Sequence, residues 1–255
     1  MPFVIRKEVI PLIKTVAFDF DHTLYDRWQS FENLAPEFCS FFAGYLKPDI
    51  TPHQVAAAII NADRATFEKK RTFKDDTLTA DIKKPWLSIY RSTAASGIFE
   101  TAPEYEMFFY DFMLKVFPGS IAMYPDALPA IRQLRQEGYL TALLTNGTSP
   151  FQIAKLEAKD IYKEFDAVLL CGDMVYQKPH PSTFETLCSK LGCTAEETLY
   201  VGDNPYNDVE GARRVGLTPV WMRSVGIWPQ ELSPAPYAID AIGQLVELVK
   251  TINKG

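Results

Sequence analysis

The stretch Ala127-Leu128-Pro129-Ala130-Ile131-Arg132-Gln133-Leu134-Arg135-Gln136-Glu137-Gly138-Tyr139-Leu140-Thr141-Ala142-Leu143-Leu144-Thr145 decides the fold. Residues 127–136 read as a helix stopped by Gly138, because glycine takes the left-handed conformation that ends helices. Residues 139–145 follow as an apolar strand. The same unit recurs downstream. Residues 151–158 read as a helix and 167–170 as a short strand. Residues 181–191 form a helix ended by Gly192, followed by a strand over 198–201. Residues 209–215 form a helix closed by Gly216, followed by a strand over 219–222. Strict alternation predicts a parallel sheet covered on both faces, with ligands beyond the carboxyl ends of its strands.

Upstream, Lys14-Thr15-Val16-Ala17-Phe18-Asp19-Phe20 is a buried strand that runs into acidic residues. From Trp28 to Met123 no convincing strand is found. Val55, Ile59, Ala62, Thr66 and Phe67 recur at helical spacing after Thr51-Pro52. Trp86, Ile89 and Tyr90, then Phe108, Phe109, Phe112 and Val116, mark further amphipathic helices. This helical stretch interrupts the α/β pattern and reads as a separate domain. The expected division is an α/β core of residues 1–27 and 124–255 and an all-helical domain of 28–123.

With 255 residues, 47% hydrophobic and 23% charged, the chain has room for such a core and its partner. A net charge of −6 speaks against nucleic acid as a ligand. The richest basic run, Lys69-Lys70-Arg71, is soon interrupted by Asp75 and Asp76 and reads as a solvated helix end. Arg6, Lys7, Glu8 and Lys14 break any apolar core of a secretion signal, and no apolar run is long enough to span a membrane. Cys39, Cys171, Cys188 and Cys193 form no CxxC pair, and three histidines are few for a zinc site. Reduced thiols in a cytoplasmic protein are the expectation.

The polar residues at the strand ends carry the chemistry. Asp19 and Asp21 stand two apart after the first strand. A lone aspartate there reads as a turn or cap residue, but two crowd negative charge into one place. Either a cation is bound or one carboxyl stays protonated. Gly202-Asp203-Asn204-Pro205-Tyr206-Asn207-Asp208 brings two more aspartates after another strand. The plain alternative, that these cap the following helix, suits Asp208 but not Asp203. Four carboxylates make an all-oxygen site suited to Mg²⁺. Thr145-Asn146-Gly147 ends a third strand with groups able to present a hydroxyl and backbone N–H donors to a phosphate, though it is also an ordinary turn. Lys178, before Pro179, gains weight only from this company.

Taken together, these residues resemble the haloacid dehalogenase (HAD) superfamily, in its phosphatase branch. Asp19-x-Asp21-x-Thr23 is similar to the first family motif, Thr145 with Asn146 to the second, and Lys178 to the third. Gly202-Asp203 through Asn207-Asp208 is similar to the fourth, and the order matches. His22 stands where glycine is frequent. The resemblance implies a Rossmann-like doubly wound core with an inserted helical cap, the segments 24–27 and 124–125 serving as hinges. It implies a Mg²⁺-dependent phosphatase acting on a small phosphorylated metabolite through an aspartyl-phosphate. Asp19 would be the nucleophile, Asp21 the acid and base, and Lys178 with Thr145 the phosphate clamp, Asn146 positioning the loop or a phosphate oxygen. Mg²⁺ would be held by Asp19, the main-chain carbonyl of Asp21, Asp203 and, directly or through water, Asp208. Arg64, Lys69, Arg71 and Trp86 are the cap residues considered for substrate selection. A haloacid dehalogenase, a phosphomutase and a non-catalytic binding protein are the competing readings; the second aspartate, Asp21, speaks against the first.

Overall fold

The computed structural model describes residues 12–69, 84–98 and 105–254. In chain order these form β1 (Thr15–Phe18), β2 (Tyr25–Asp26), α1 (Arg27–Phe41), α2 (Pro52–Lys69), α3 (Lys84–Ala95), α4 (Tyr105–Ser120), β3 (Ala122–Met123) and α5 (Ala127–Gln136). There follow β4 (Leu140–Thr145), α6 (Ser149–Ala158), β5 (Ala167–Leu170), α7 (Pro181–Leu191), β6 (Thr198–Gly202), α8 (Gly211–Arg214), β7 (Thr218–Met222), β8 (Tyr237–Ile239) and α9 (Leu245–Lys254).

Six strands pair in the order β5-β4-β1-β6-β7-β8, and every pairing is parallel. The two-residue period of a strand sends alternate side chains to opposite faces. Val16, Phe18, Leu143, Leu199 and Val201 join one buried apolar cluster, while Ala17, Ala142, Leu144 and Tyr200 join a second. Both faces are therefore covered, which is why these strands are apolar throughout. The chain builds outward from β1 through β4 and β5, then crosses back to β6 on the other side. That reversal opens a crevice beyond the carboxyl ends of β1, β4 and β6, the usual ligand site of such sheets.

Helices α1–α4 lie between β2 and β3, which pair antiparallel where the chain leaves and re-enters the α/β region. Asp26 caps α1, its carboxylate accepting from the backbone N–H of Trp28 and Gln29. The helices pack through aromatic side chains. Phe31 stacks on Phe117 at 5.0 Å, and Phe38 meets Phe42 and Phe112 at 4.5 and 5.4 Å. The architecture is thus a Rossmann-like, doubly wound parallel sheet with an inserted helical cap.

Three details differ from expectation. Residues 122–123 form a strand too short to leave an alternation signal in a stretch read as strand-free. The helix expected over 209–215 begins earlier, as a wide turn over Pro205–Glu210, because the Asn204 side chain caps Tyr206 and Asn207; α8 then ends at Arg214. Beyond Met222, β8 adds a sixth strand and α9 closes over the sheet. Among the described residues, no helix is long and apolar enough to cross a membrane. All four cysteines are free thiols.

Candidate active site

Asp19 follows β1, Thr145 ends β4, and Asp203 follows β6, so neighbouring parallel strands deliver all three to one crevice. Asn146 brings in Lys178. Its Oδ1 accepts from the Lys178 backbone N–H and its Nδ2 donates to the Lys178 carbonyl, both at 2.9 Å. The expectation that Asn146 positions a loop thus has a physical form, a two-point clamp on the lysine's own backbone. Lys178 is only 3% exposed. Its ammonium donates to Asp19 Oδ1 at 2.7 Å, Asp208 Oδ1 at 2.7 Å and the Tyr200 hydroxyl at 2.8 Å. Three donors meet three acceptors, which is what a buried ammonium requires.

One carboxylate oxygen each from Asp19, Asp203 and Asp208 lies within 4.8 Å of the others. Asp208 Oδ2 accepts from the Asn204 backbone N–H at 2.9 Å. Asn204, not either aspartate, caps the turn that follows. Gly202 is fixed by the same geometry, since a Cβ there would stand 2.3 Å from the Asp208 carboxyl carbon. Asp203 Oδ2 is buried and has no hydrogen-bond partner. Three carboxylates against one ammonium leave two negative charges uncompensated. Burial, with Asp208 and Asp21 adding to it, pushes Asp19 up to about 6 despite Lys178. Burial and the neighbouring Asp208 and Asp19 push Asp203 well above the carboxylate range. Burial would strip Lys178 of its proton, but Asp19 and Asp208 overcome it and hold the ammonium charged. This donor set fits a hard divalent cation: all oxygen, one atom unsatisfied, and two charges to balance.

Asp21 is placed differently. Its carboxylate is not among the three; it accepts from the Lys155 ammonium at 2.8 Å on each oxygen, from Arg27 at 2.8 Å and from Gln152 at 2.9 Å. The Tyr25 hydroxyl donates to it as well. Burial favours the neutral acid here, but Lys155 and Arg27 override it and hold the group far below the ordinary carboxylate range. Arg27 extends the cluster to Asp63 of α2, with contacts of 3.0 to 3.2 Å. None of Tyr25, Arg27, Asp63, Gln152 and Lys155 stands out in the sequence. The one available signal is a charged and an amide side chain three residues apart on the face of α6 that also buries Phe151 and Leu156.

Thr145 is fully buried, its hydroxyl accepting from Gln152 at 3.0 Å. Thr23 Oγ1 lies 3.4 Å from Asp19 Oδ2 and accepts from the Asp203 backbone N–H at 3.1 Å, tying the first strand end to the third. His22 has a φ of 62°, the left-handed region that suits glycine, and packs against Trp28 with ring centroids 5.0 Å apart. Arg64 is exposed on α2, its guanidinium 4.0 Å from the Trp28 ring centroid. Arg71 and the side chains of Lys69 and Trp86 lie outside the described residues.

A family model for the haloacid dehalogenase-like hydrolases matches residues 13–216. The chain belongs to this family. Among curated relatives, phosphoserine phosphatase of Thermus thermophilus is 36% identical over 114 residues, 45% of each protein. Human N-acylneuraminate-9-phosphatase is 35% identical over 130 residues, 50% of this chain and 52% of that one. (S)-2-haloacid dehalogenase 4A of Burkholderia cepacia is 29% identical, over 52% of this chain and 58% of that one. The chain thus spans about half the length of the curated relatives it matches. Among solved structures, the magnesium-bound HAD-hydrolase YfnB of Bacillus subtilis superposes with a TM-score of 0.72 at 21% identity, covering 93% of this chain and 99% of that one. L-2-haloacid dehalogenase of Xanthobacter autotrophicus gives 0.67 at 17% identity, covering 94% and 99%. At these identities the structural likeness speaks for the HAD fold, and the family is that of a hydrolase.

Proposed function

We propose that this HAD hydrolase is a Mg²⁺-dependent phosphatase of a small phosphorylated metabolite. The observation that carries the reading is the cluster of Asp19, Asp203 and Asp208, short of positive charge by the amount a divalent cation supplies. Asp21, a second buried-pocket carboxylate beside the first, adds to it. Relatives named as phosphatases support the same reaction class.

Asp19, Asp203 and the main-chain carbonyl of Asp21 would hold the ion, with Asp208 completing the set directly or through water. The bound ion would offset the charge of a phosphate dianion, which otherwise repels an attacking carboxylate. Asp19 attacks phosphorus in line and becomes an aspartyl-phosphate. Lys178 touches Asp19 and stands ready to neutralise the transferring group. Thr145 and the backbone of the turn that follows it complete the phosphate clamp. Asp21 gives a proton to the leaving oxygen, then takes one from the water that hydrolyses the intermediate. Residues 28–123 act as a cap that closes over the core of 1–27 and 124–255, excludes water and selects the substrate. Four free thiols and the absence of a spanning helix among the described residues fit a cytoplasmic setting.

The test is a panel of phosphorylated metabolites and 2-haloacids, each with Mg²⁺ and with EDTA. Phosphate release that needs Mg²⁺ and is poorly supported by Ca²⁺ is expected. Halide release, or phosphate release undiminished in metal-stripped buffer, overturns the reading.

A further inference from the structure

Gln152 and Lys155 stand three residues apart on α6, so the helix sets them side by side, and both are nearly buried at 2% and 3% exposure. Burying an ammonium is costly unless a partner compensates it. An apolar side chain would pack equally well between the rings of Phe20 and Tyr25, 5.1 and 5.3 Å from the Lys155 nitrogen. The lysine is instead aimed at Asp21, contacting both carboxylate oxygens at 2.8 Å. Gln152 reaches further: the single nitrogen of its amide donates to Asp21 Oδ2, Thr145 Oγ1 and the Asn146 carbonyl. One side chain therefore links the first strand end to the second. Gly147 makes room for it. A Cβ there would stand 2.9 Å from the Gln152 nitrogen, and its φ of 122° suits glycine alone.

We propose that Gln152 and Lys155 are positioning residues that fix the Asp21 carboxyl group for proton exchange with the leaving oxygen and balance the charge it carries afterwards. The inference rests on the phosphatase reading. In the first step a bond forms from Asp19 to phosphorus while the ester O–P bond breaks. The Asp21 proton moves to the departing oxygen, which leaves as an alcohol, and the carboxylate left behind faces Lys155 and Arg27. In the second step a water oxygen bonds to phosphorus, the bond to Asp19 breaks, and one water proton returns to Asp21. Gln152 holds the same carboxylate in register with Thr145 throughout.

Leaving-group dependence tests the assignment. The quantity to measure is kcat/KM, which covers events up to phosphoryl transfer onto Asp19, for an alkyl phosphate and for p-nitrophenyl phosphate, whose phenolate departs without a proton. Lys155→Met and Gln152→Leu are expected to lose about a hundredfold or more on the alkyl ester and less than about tenfold on the aryl ester, the scale of acid–base assistance. Lys155→Arg is expected to recover part of the alkyl loss. Equal losses on both esters overturn the proposal, since a merely structural defect lowers both alike. Gln152→Leu removes no charge and carries the test should Lys155→Met fail to fold. A wild-type protein inactive on every phosphate ester overturns the phosphatase reading itself. A wild-type protein active on both esters, with variants that show no selective loss, overturns this inference alone.

Discussion

Around Asp21, two cations, a phenol and an amide converge on one carboxylate, whereas around Asp19 three carboxylates share one ammonium. The two clusters lie at the same end of the sheet and are built from the same acidic residue, yet their charge balance is opposite. Asp21 is satisfied by its own chain, so it is held as an anion with a fixed direction. Asp19 and Asp203 are not satisfied, so burial drives them toward the neutral acid. A site in that condition takes up either protons or a metal ion. Charge balance, more than residue type, therefore separates the acid–base carboxylate from those that would hold a cation.

The most severe way to break this division is Asp19→Asn. The amide keeps the shape and removes the nucleophile, so kcat is expected to fall by more than about a thousandfold, roughly 4 kcal/mol. Retention of more than about a hundredth of wild-type kcat sinks the assignment. Lys178→Ala comes next. It touches the group common to all phosphate esters, and about a hundredfold loss of kcat/KM is expected on every one of them. Because it also strands Asp19 and Asp208 as buried carboxylates, thermal melts should accompany the kinetics. Arg64→Ala, out on α2 against Trp28, is expected to shift the ranking of substrates by less than about tenfold and leave the chemical step intact. If Lys178→Ala reorders the substrates and Arg64→Ala does not, the core loops select the substrate and the cap is only a lid.

The same contrast explains what was legible in the sequence. Asp19, Thr145 and Asp203 could be found because each stands at or next to the carboxyl end of an apolar strand, and strand order follows from the alternation that surrounds them. Those residues need only the local pattern and a parallel sheet. Lys178 was visible through the family order of motifs, and its clamp by Asn146 depends on an approach between two loops that no local pattern encodes. Gln152 and Lys155 were hidden for a related reason. On a helix a lysine reads as a stem lying over apolar surface with its charge in water, and only the arrival of Asp21 from far along the chain turns it inward. Arg27 was taken for part of a hinge, though it joins Asp21 to Asp63 of α2. Pairing between distant charges is set by tertiary structure, and single-residue properties carry little of it.

The gentlest probe of the comparison is the pH dependence of metal stabilisation. Without metal, Asp19 titrates at about 6 in the folded protein against its ordinary 3.8, so the folded state keeps a proton that the unfolded chain gives up. That contribution to stability is complete below the unfolded value and is lost as pH rises through about 6. Asp21 behaves oppositely: held well below its ordinary value, it stabilises the fold above the unfolded value and loses this only under strong acid. Between about pH 4 and 6 the change in the metal-free protein therefore belongs to the Asp19 cluster. A divalent ion competes with the protons of that cluster, so its stabilising effect should grow with pH across the same window. Thermal melts at about pH 5 and about pH 7.5, each with excess Mg²⁺ and with EDTA, measure it. A larger Mg²⁺-induced rise in Tm at the higher pH is expected, by a few degrees for a binding gain of about 1 kcal/mol. An equal or larger rise at about pH 5 breaks the contrast, because the ion would then be held by groups other than the carboxylates that burial protonates.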